Sequence, residues 1–340
     1  MAANRVSIRD VAREAGVSAT TVSHALNDKG RLNPETRRKV REVADRLGYR
    51  PNPAARSLVS GRTKLIAAMA SLPEEPRVEF SDFGYYTELI GAATAAAVDR
   101  DYALVVAPPA RSGLVWERVP LDGVIVIDPI DGEIALPILR SMGVPFVTAG
   151  RDPRGHEGDA VVAGNDMAAT RDVLDHLVGR GARQVAMVVI PPLVASARDA
   201  AAAYEEWCAE RGRRPILVRP PIHGLVLRTQ ATITEVVADL LARPEPPDAI
   251  YAPVERLGVA VAQAVLATGL RIPQDIMLVT THDAGLAAAF DPSITTLGWD
   301  YKEYGRKAGD MLIDLVEGRR QAPCLDLVGH FVTARTSTAR

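Results

Sequence analysis

The 340-residue chain predicts an α/β protein: a small all-α head with a short hinge helix, then a two-lobed core of doubly wound parallel sheets. Three observations carry that prediction. Two capped helical patterns meet at a glycine turn near the N-terminus. Positive charge gathers at the front of the chain, on a body that is acidic. From Lys64 onward, short apolar runs alternate with helical patterns in two successive series, as strands and crossover helices do.

The head begins at Ser7. Ser7 and Asp10 have the spacing of a capping box, and Val11, Ala12 and Ala15 give one apolar stripe. Gly16 supplies the positive φ that ends the helix, and Val17 plugs the corner. Ser18 caps a second helix whose Val22, Ala25 and Leu26 face inward. Its other face carries Ala19, Thr20, Thr21, Ser23 and His24, small or polar and without a carboxylate. Such a face suits entry into the major groove of DNA, where short side chains reach base edges and hydroxyls grip phosphate. A capped helical hairpin with an ordinary polar face would read the same way from these residues alone.

Charge favours the first reading. Residues 1–62 hold 13 Lys and Arg against 6 Asp and Glu, while the rest holds 27 against 36. A basic head on an acidic body fits one polyanion-binding module joined to a module of another kind. Asn33-Pro34 starts a third helix, with Val40, Val43, Ala44 and Leu47 inward and Gly48 at its end. Residues 1–49 thus suffice for a helix-turn-helix domain. Residues 50–63 form a basic linker in which Asn52 and Pro53 start a helix to about Val59, too short to stand alone in water. Leu58 on that helix either packs on a neighbouring domain or wedges between base pairs in the minor groove.

In the core, 64–340, strands are expected at 65–70, 102–106, 124–127, 144–149, from 161, 185–189, 216–218, 249–252 and 276–280. Helices are expected at 86–100, 134–142, 167–180, 197–211, 229–241 and 258–268. The two series imply two lobes with a cleft between them, where ligands of such folds bind. Cys208 and Cys324 lie far apart without metal-type spacing, which with the lack of a signal peptide or membrane-length apolar run points to a cytoplasmic protein.

Residues 7–65 resemble the head and hinge of the LacI/GalR family of bacterial transcription regulators. The matching strings are D-V-A-R-E-A-G-V-S-x-x-T-V-S-H-x-L-N, G-Y-x-P-N-x-x-A-R-S-L and T-K-L-I. More loosely, L-D-G-V-I-V, G-V-P-F-V, H-L-V-G-R-G-A-R-Q-V-A, G-L-R-I-P-Q-D-I and P-S-I-T-T-L resemble that family's periplasmic-binding-protein-like core. The likeness implies three crossings between lobes, near 161–165, 290–295 and 322–326. The N-lobe would then be about 64–162 plus 293–323, and the C-lobe about 163–292 plus 324–340.

The same resemblance implies site residues. Ala19, Thr20 and His24 fall at base-reading positions, with Thr20 and His24 following the purine-repressor branch. Ser7, Thr21, Ser23 and Asn27 fall at phosphate contacts, Leu58 is the wedge, and Ala55 allows close approach to the groove. Val59 stands where relatives often carry lysine, one minor-groove cation fewer. Tyr85, Tyr86, Arg198, Glu255, His282, Asp283 and Trp299 fall near the effector cleft. Ala200 replaces a cleft arginine common among sugar- and purine-binding relatives, and His282 replaces an aspartate. Trp299 reads equally as a stacking platform or as core filler, and His282 beside Asp283 as a structural pair rather than a switch. The connection 107–121 is shorter than in relatives, with little room for the helix they place there.

The expectation is therefore a homodimeric operator-binding repressor controlled by a small-molecule effector, with no cofactor, metal or membrane partner. A cytoplasmic sugar-like binding protein without operator-specific activity is the alternative. No G-x-S-x-G, P-loop, H-E-x-x-H or G-x-G-x-x-G gives an enzyme a foothold.

Overall fold

The computed structural model describes residues 6–26, 30–50, 61–71, 84–107, 115–189, 194–220, 230–283 and 285–340. The chain divides into two units, Met1–Thr63 and Lys64–Arg340.

Among the described residues the head has three helices: α1 Ile8–Ala15, α2 Ala19–Leu26 and α3 Pro34–Arg46. The capping box forms as its spacing predicts, Ser7 Oγ accepting from the Asp10 amide while Asp10 accepts from the Ser7 backbone. Gly16 takes φ 68° and turns the chain into α2. Asn33 caps α3 through the Glu35 amide at 2.9 Å, with Pro34 at the first helical position. Val11, Ala15, Val22, Ala25 and Val40 make a small buried centre, with Leu26, Leu32 and Leu47 packed against it. The proposed hinge helix, with Ala55 and Leu58, and Asn27 lie outside the described residues.

The core carries two six-stranded sheets. Its elements are β1 Leu65–Ala70, α4 Gly84–Asp99, β2 Ala103–Val106, α5 Val115–Arg118, β3 Gly123–Ile127, α6 Ala135–Met142, β4 Phe146–Ala149 and β5 Ala160–Gly164. They continue as α7 Asp166–Gly179, β6 Val185–Val188, α8 Ala195–Glu210, β7 Ile216–Val218, α9 Gln230–Leu241, β8 Ala249–Ala252, α10 Glu255–Ala267 and β9 Met277–Thr281. Last come α11 Leu286–Ala289, β10 Thr295–Trp299, α12 Tyr301–Val316, β11 Cys324–Val328 and β12 His330–Thr333. The first sheet runs β11-β5-β4-β3-β1-β2, all parallel; the second runs β12-β10-β9-β8-β6-β7, with only β12 antiparallel. Central strands such as β3 and β9 are buried along their whole length, as sheets covered on both faces require.

Strand membership moves the expected lobe boundaries. β10 still belongs to the second sheet, so the second crossing falls between Trp299 and Tyr301, not at 290–295. β11 belongs to the first sheet, so the third falls between Val328 and His330, not at 322–326. The first lies between Gly164 and Asp166. Each correction has one cause: β10 and β11 are short strands of mixed polarity that the periodicity left unassigned, and each pairs into its sheet before the chain leaves the lobe. The connection 107–121 also does hold a helix, one turn at α5, because Trp116 buries against Met69 and Val126.

α4 and α12 pack closely in the first lobe. A Cβ at Gly305 would fall within 3.0 Å of the Leu89 carbonyl oxygen, and one at Gly309 would lie 3.0 Å from the Ala96 methyl. The alanines of α4 and the glycines of α12 are therefore one packing decision. Among the described residues no helix is long and apolar enough to cross a membrane.

Candidate functional sites

On the head, the structure places most predicted DNA-contacting residues on α2. Thr20 is exposed, and Ser23 and His24 are half-buried. Thr21 shares a hydrogen bond with Ser18 Oγ at 2.8 Å, so its hydroxyl also serves the cap. The Ser7 hydroxyl donates to Asp10 Oδ2 at 2.6 Å. His24 is braced by the turn after α2, its Nδ1 lying 3.0 Å from where a Cβ on Gly30 would stand. Ala19 departs from expectation: it packs against the head's centre, because it sits one turn before Val22 and Ala25 and close to Val17. The outward surface is therefore narrower than the sequence pattern and centres on Thr20.

In the core, a cleft of about 1100 Å³, counted out to open solvent, lies between the lobes. Much of its wall comes from strand C-terminal ends, where open parallel sheets bind ligands. Asp128 follows β3, Gly150 and Arg151 follow β4, Asp166 follows β5, His282 follows β9, and Tyr301 follows β10. Tyr85, Tyr86 and Leu89 on α4 and Ala197 and Ala200 on α8 also line it.

Aromatic rings line one side. Tyr85 stacks on His282 with centroids 4.3 Å apart and planes 8° apart, and leans on Tyr86 at 4.4 Å and Tyr301 at 5.1 Å. Trp299 stands 6.0 Å from His282, against Gly164, where a Cβ would come within 3.0 Å of the indole nitrogen. The Tyr85 hydroxyl donates to Asp128 Oδ2 at 2.5 Å, and Tyr86 hydrogen bonds the same carboxylate. Burial nevertheless lifts the Asp128 carboxyl above its ordinary range, the two tyrosines pulling it back. Burial pushes the Asp166 carboxyl up to about 6, against the pull of Arg151. Burial lowers His282 to about 4, so its imidazole is neutral at pH 7, and its Nδ1 shares a hydrogen bond with the Tyr301 hydroxyl.

Three predicted effector residues are elsewhere. Glu255 is buried at the start of α10 and accepts from the Ala287 amide at 3.0 Å, capping α11. Asp283 does not pair with His282; it binds Arg335 Nη2 at 2.6 Å, and Arg335 also holds the Ile294 carbonyl and Thr296 Oγ1. Arg198 turns outward and donates to the Pro153 carbonyl at 2.7 Å. That bond joins α8 of the second lobe to the loop after β4 of the first, and Arg151 pairs with Asp199 across the same gap. Together they latch the mouth of the cleft. Asp128, Arg151, Asp166 and Tyr301 went unread in the sequence, although each closely follows a strand and that position alone could have flagged three of them. Among the described residues no cluster of His, Cys, Asp and Glu could hold a metal ion.

The comparisons with known proteins agree with this two-part layout. Residues 7–52 match the bacterial regulatory proteins of the lacI family, and residues 174–338 match the periplasmic binding protein-like domain. The transcriptional regulator CelR of Thermobifida fusca is 28% identical over 333 residues, 94% of each chain. The lactose operon repressor of Escherichia coli K12 is 25% identical over 317 residues, covering 92% of this chain and 86% of the repressor. In fold, a lac repressor dimer bound to operator and the anti-inducer ONPF superposes with TM-score 0.78 at 22% identity, over 98% of this chain and 99% of that one. A CelR–cellobiose complex gives TM-score 0.71 at 24% identity, over 98% and 100%. With a helix-turn-helix head and a two-lobed core both in place, this chain belongs to the lacI family of bacterial regulatory proteins and is a DNA-binding transcriptional regulator, not an enzyme.

Proposed function

We propose that this regulator represses transcription by binding a pseudo-palindromic operator as a homodimer in the bacterial cytoplasm, and that a small molecule in the interlobe cleft sets its grip on DNA. One head reads one half-site, so twofold pairing is needed for a full operator. Thr20 and His24 read base edges, Ser7, Thr21, Ser23 and Asn27 hold phosphates, and Ala19 offers a methyl. Ala55 lets the hinge approach the minor groove and Leu58 opens its central step. The effector meets Tyr85, Tyr86, His282 and Trp299, to which we add Asp128, Asp166 and Tyr301. Arg198 acts in the latch instead, and Glu255 and Asp283 hold structure.

One observation carries the allosteric part. The Arg151–Asp199 and Arg198–Pro153 contacts join the two lobes beside the cleft, and Arg151 also lines it, which supports coupling of ligand occupancy to lobe closure through that residue. A ligand that favours closed over open lobes shifts that equilibrium by its difference in affinity, and by no more. The test is a gel shift against the DNA upstream of the gene, with the whole chain beside residues 64–340. Saturable binding by the whole chain alone, altered by a metabolite that also raises the core's melting temperature, is expected. Equal shifts by both proteins would overturn the assignment of the head.

A further inference from the structure

The charges in the cleft do not balance. Arg151 is the cationic side chain among its described lining residues, and Asp199 already occupies it. His282 is neutral and stacked on Tyr85. Against these stand Asp128 and Asp166. Asp128 has hydrogen bonds from Tyr85 and Tyr86. Asp166 has none from any side chain among the described residues; only its own backbone amide faces the carboxylate. A second polar group in the same wall is also unengaged: Trp299 is 8% exposed and its indole N–H has no acceptor among the described residues. An acceptor and a donor are thus both unsatisfied in one cleft, beside a row of aromatic faces.

Building on the effector-cleft reading above, we propose that the ligand is a small polyhydroxylated or phenolic molecule bearing a protonated amine, with the ammonium on Asp166 and an oxygen accepting from the Trp299 indole. An uncharged polyol would leave the Asp166 carboxylate with no cation in ion-pair contact among the described residues, only the through-space pull of Arg151 and His330, which is costly in a water-poor site. An anion would add a third negative charge beside Asp128 and Asp166. An ammonium removes the imbalance, and the faces of Tyr85 and Trp299 add cation–π attraction. The raised Asp166 carboxyl reports the same imbalance: burial, helped by the Asp128 charge, outweighs what Arg151 and, more weakly, His330 supply.

The test uses matched probes on the whole chain: glucosamine with glucose and glucuronate, the glucosamine dimer with cellobiose, and tyramine with its alcohol analogue. Binding is read by calorimetry and by quenching of tryptophan fluorescence. The amine of at least one set should bind about tenfold tighter than its neutral partner, with saturation below roughly 10 mM. Its affinity should fall between about pH 7, where the sugar amine is still protonated, and about pH 5 as Asp166 takes up a proton and stops attracting it. Asp166→Asn should erase the preference for amines, and Asp166→Glu, which keeps the charge, should retain it. The proposal is overturned if the neutral or anionic partner binds as well, if no amine saturates, or if the preference survives Asp166→Asn. Failure of the gel shift would sink the repressor reading and leave this charge preference untouched, so the two outcomes are separable.

Discussion

The outward face of α2 and the wall of the cleft are built by opposite strategies. The first is a single run of residues on one helix, positioned by local rules: a cap at Ser18, a turn at Gly16, and inward methyls at Val22 and Ala25. The second draws on the ends of β3, β4, β5, β9 and β10 and on α4 and α8, so its polar groups come from elements far apart in the sequence. A contiguous site should tolerate damage elsewhere in the chain. An assembled one should feel any change in how its lobes pack.

Gly305→Ala is the hardest blow to that contrast. The new methyl meets the α4 backbone at Leu89, so the core should lose about 3 kcal/mol through overpacking. Trp116, Trp207 and Trp299 all lie in the core, so a urea titration followed by tryptophan fluorescence reports it. Folded protein should keep its DNA affinity, and an unchanged midpoint would mean that the α4–α12 packing is slack.

Acid separates two groups within the cleft wall. The unfolded His282 takes a proton at about 6.5 and the folded one only at about 4, so this group withdraws stability as pH falls through that window. Asp166 does the reverse: folded it protonates at about 6 and unfolded at 3.8, so its buried charge is relieved as pH falls from about 6. Each effect is worth about 3 kcal/mol at most, and they nearly cancel. Asp166→Asn should therefore steepen the loss of stability below about pH 6.5, and His282→Asn should turn it into a gain. Melting curves between neutral pH and about pH 4 decide it; parallel slopes for both variants would contradict the assignment.

Thr20→Ala and His24→Ala should each relax operator preference by about 1–3 kcal/mol for every base edge that goes unread, with the effector response intact. Selection from a randomised half-site measures this, and an unaltered preferred sequence would move the reading surface elsewhere. Ser7→Ala has the smallest reach: without the capping box the head should be about 1 kcal/mol less stable, seen by circular dichroism, with the cleft unaffected.

The same contrast explains what the sequence disclosed. The head's helices were legible from caps and stripes because their determinants lie within four residues of one another. The alternation from Leu65 to Thr281 was legible for the same reason. β10 and β11 were not, because Thr295–Trp299 mixes threonine, glycine and leucine and becomes a strand only beside β9 and β12. In the cleft, the aromatic Tyr85, Tyr86 and Trp299 could be placed by likeness. Glu255, Asp283 and Arg198 were misplaced because proximity to a strand end does not say which way a side chain turns, and each found a partner outside the cavity. Asp166 was missed because an acid in the first turn of a helix reads as a cap.

Two of the three crossings touch the cleft directly, one between Gly164 and Asp166, the other between Trp299 and Tyr301, and all four of these residues line its wall. Trp299 rests against Gly164, so the pivots bear on each other. An occupant seated there is lodged in the bearing on which the halves turn, not merely gripped between two jaws. Its girth at that one point would then set the angle of rotation, and chemically similar compounds of different width could drive the regulator in opposite directions.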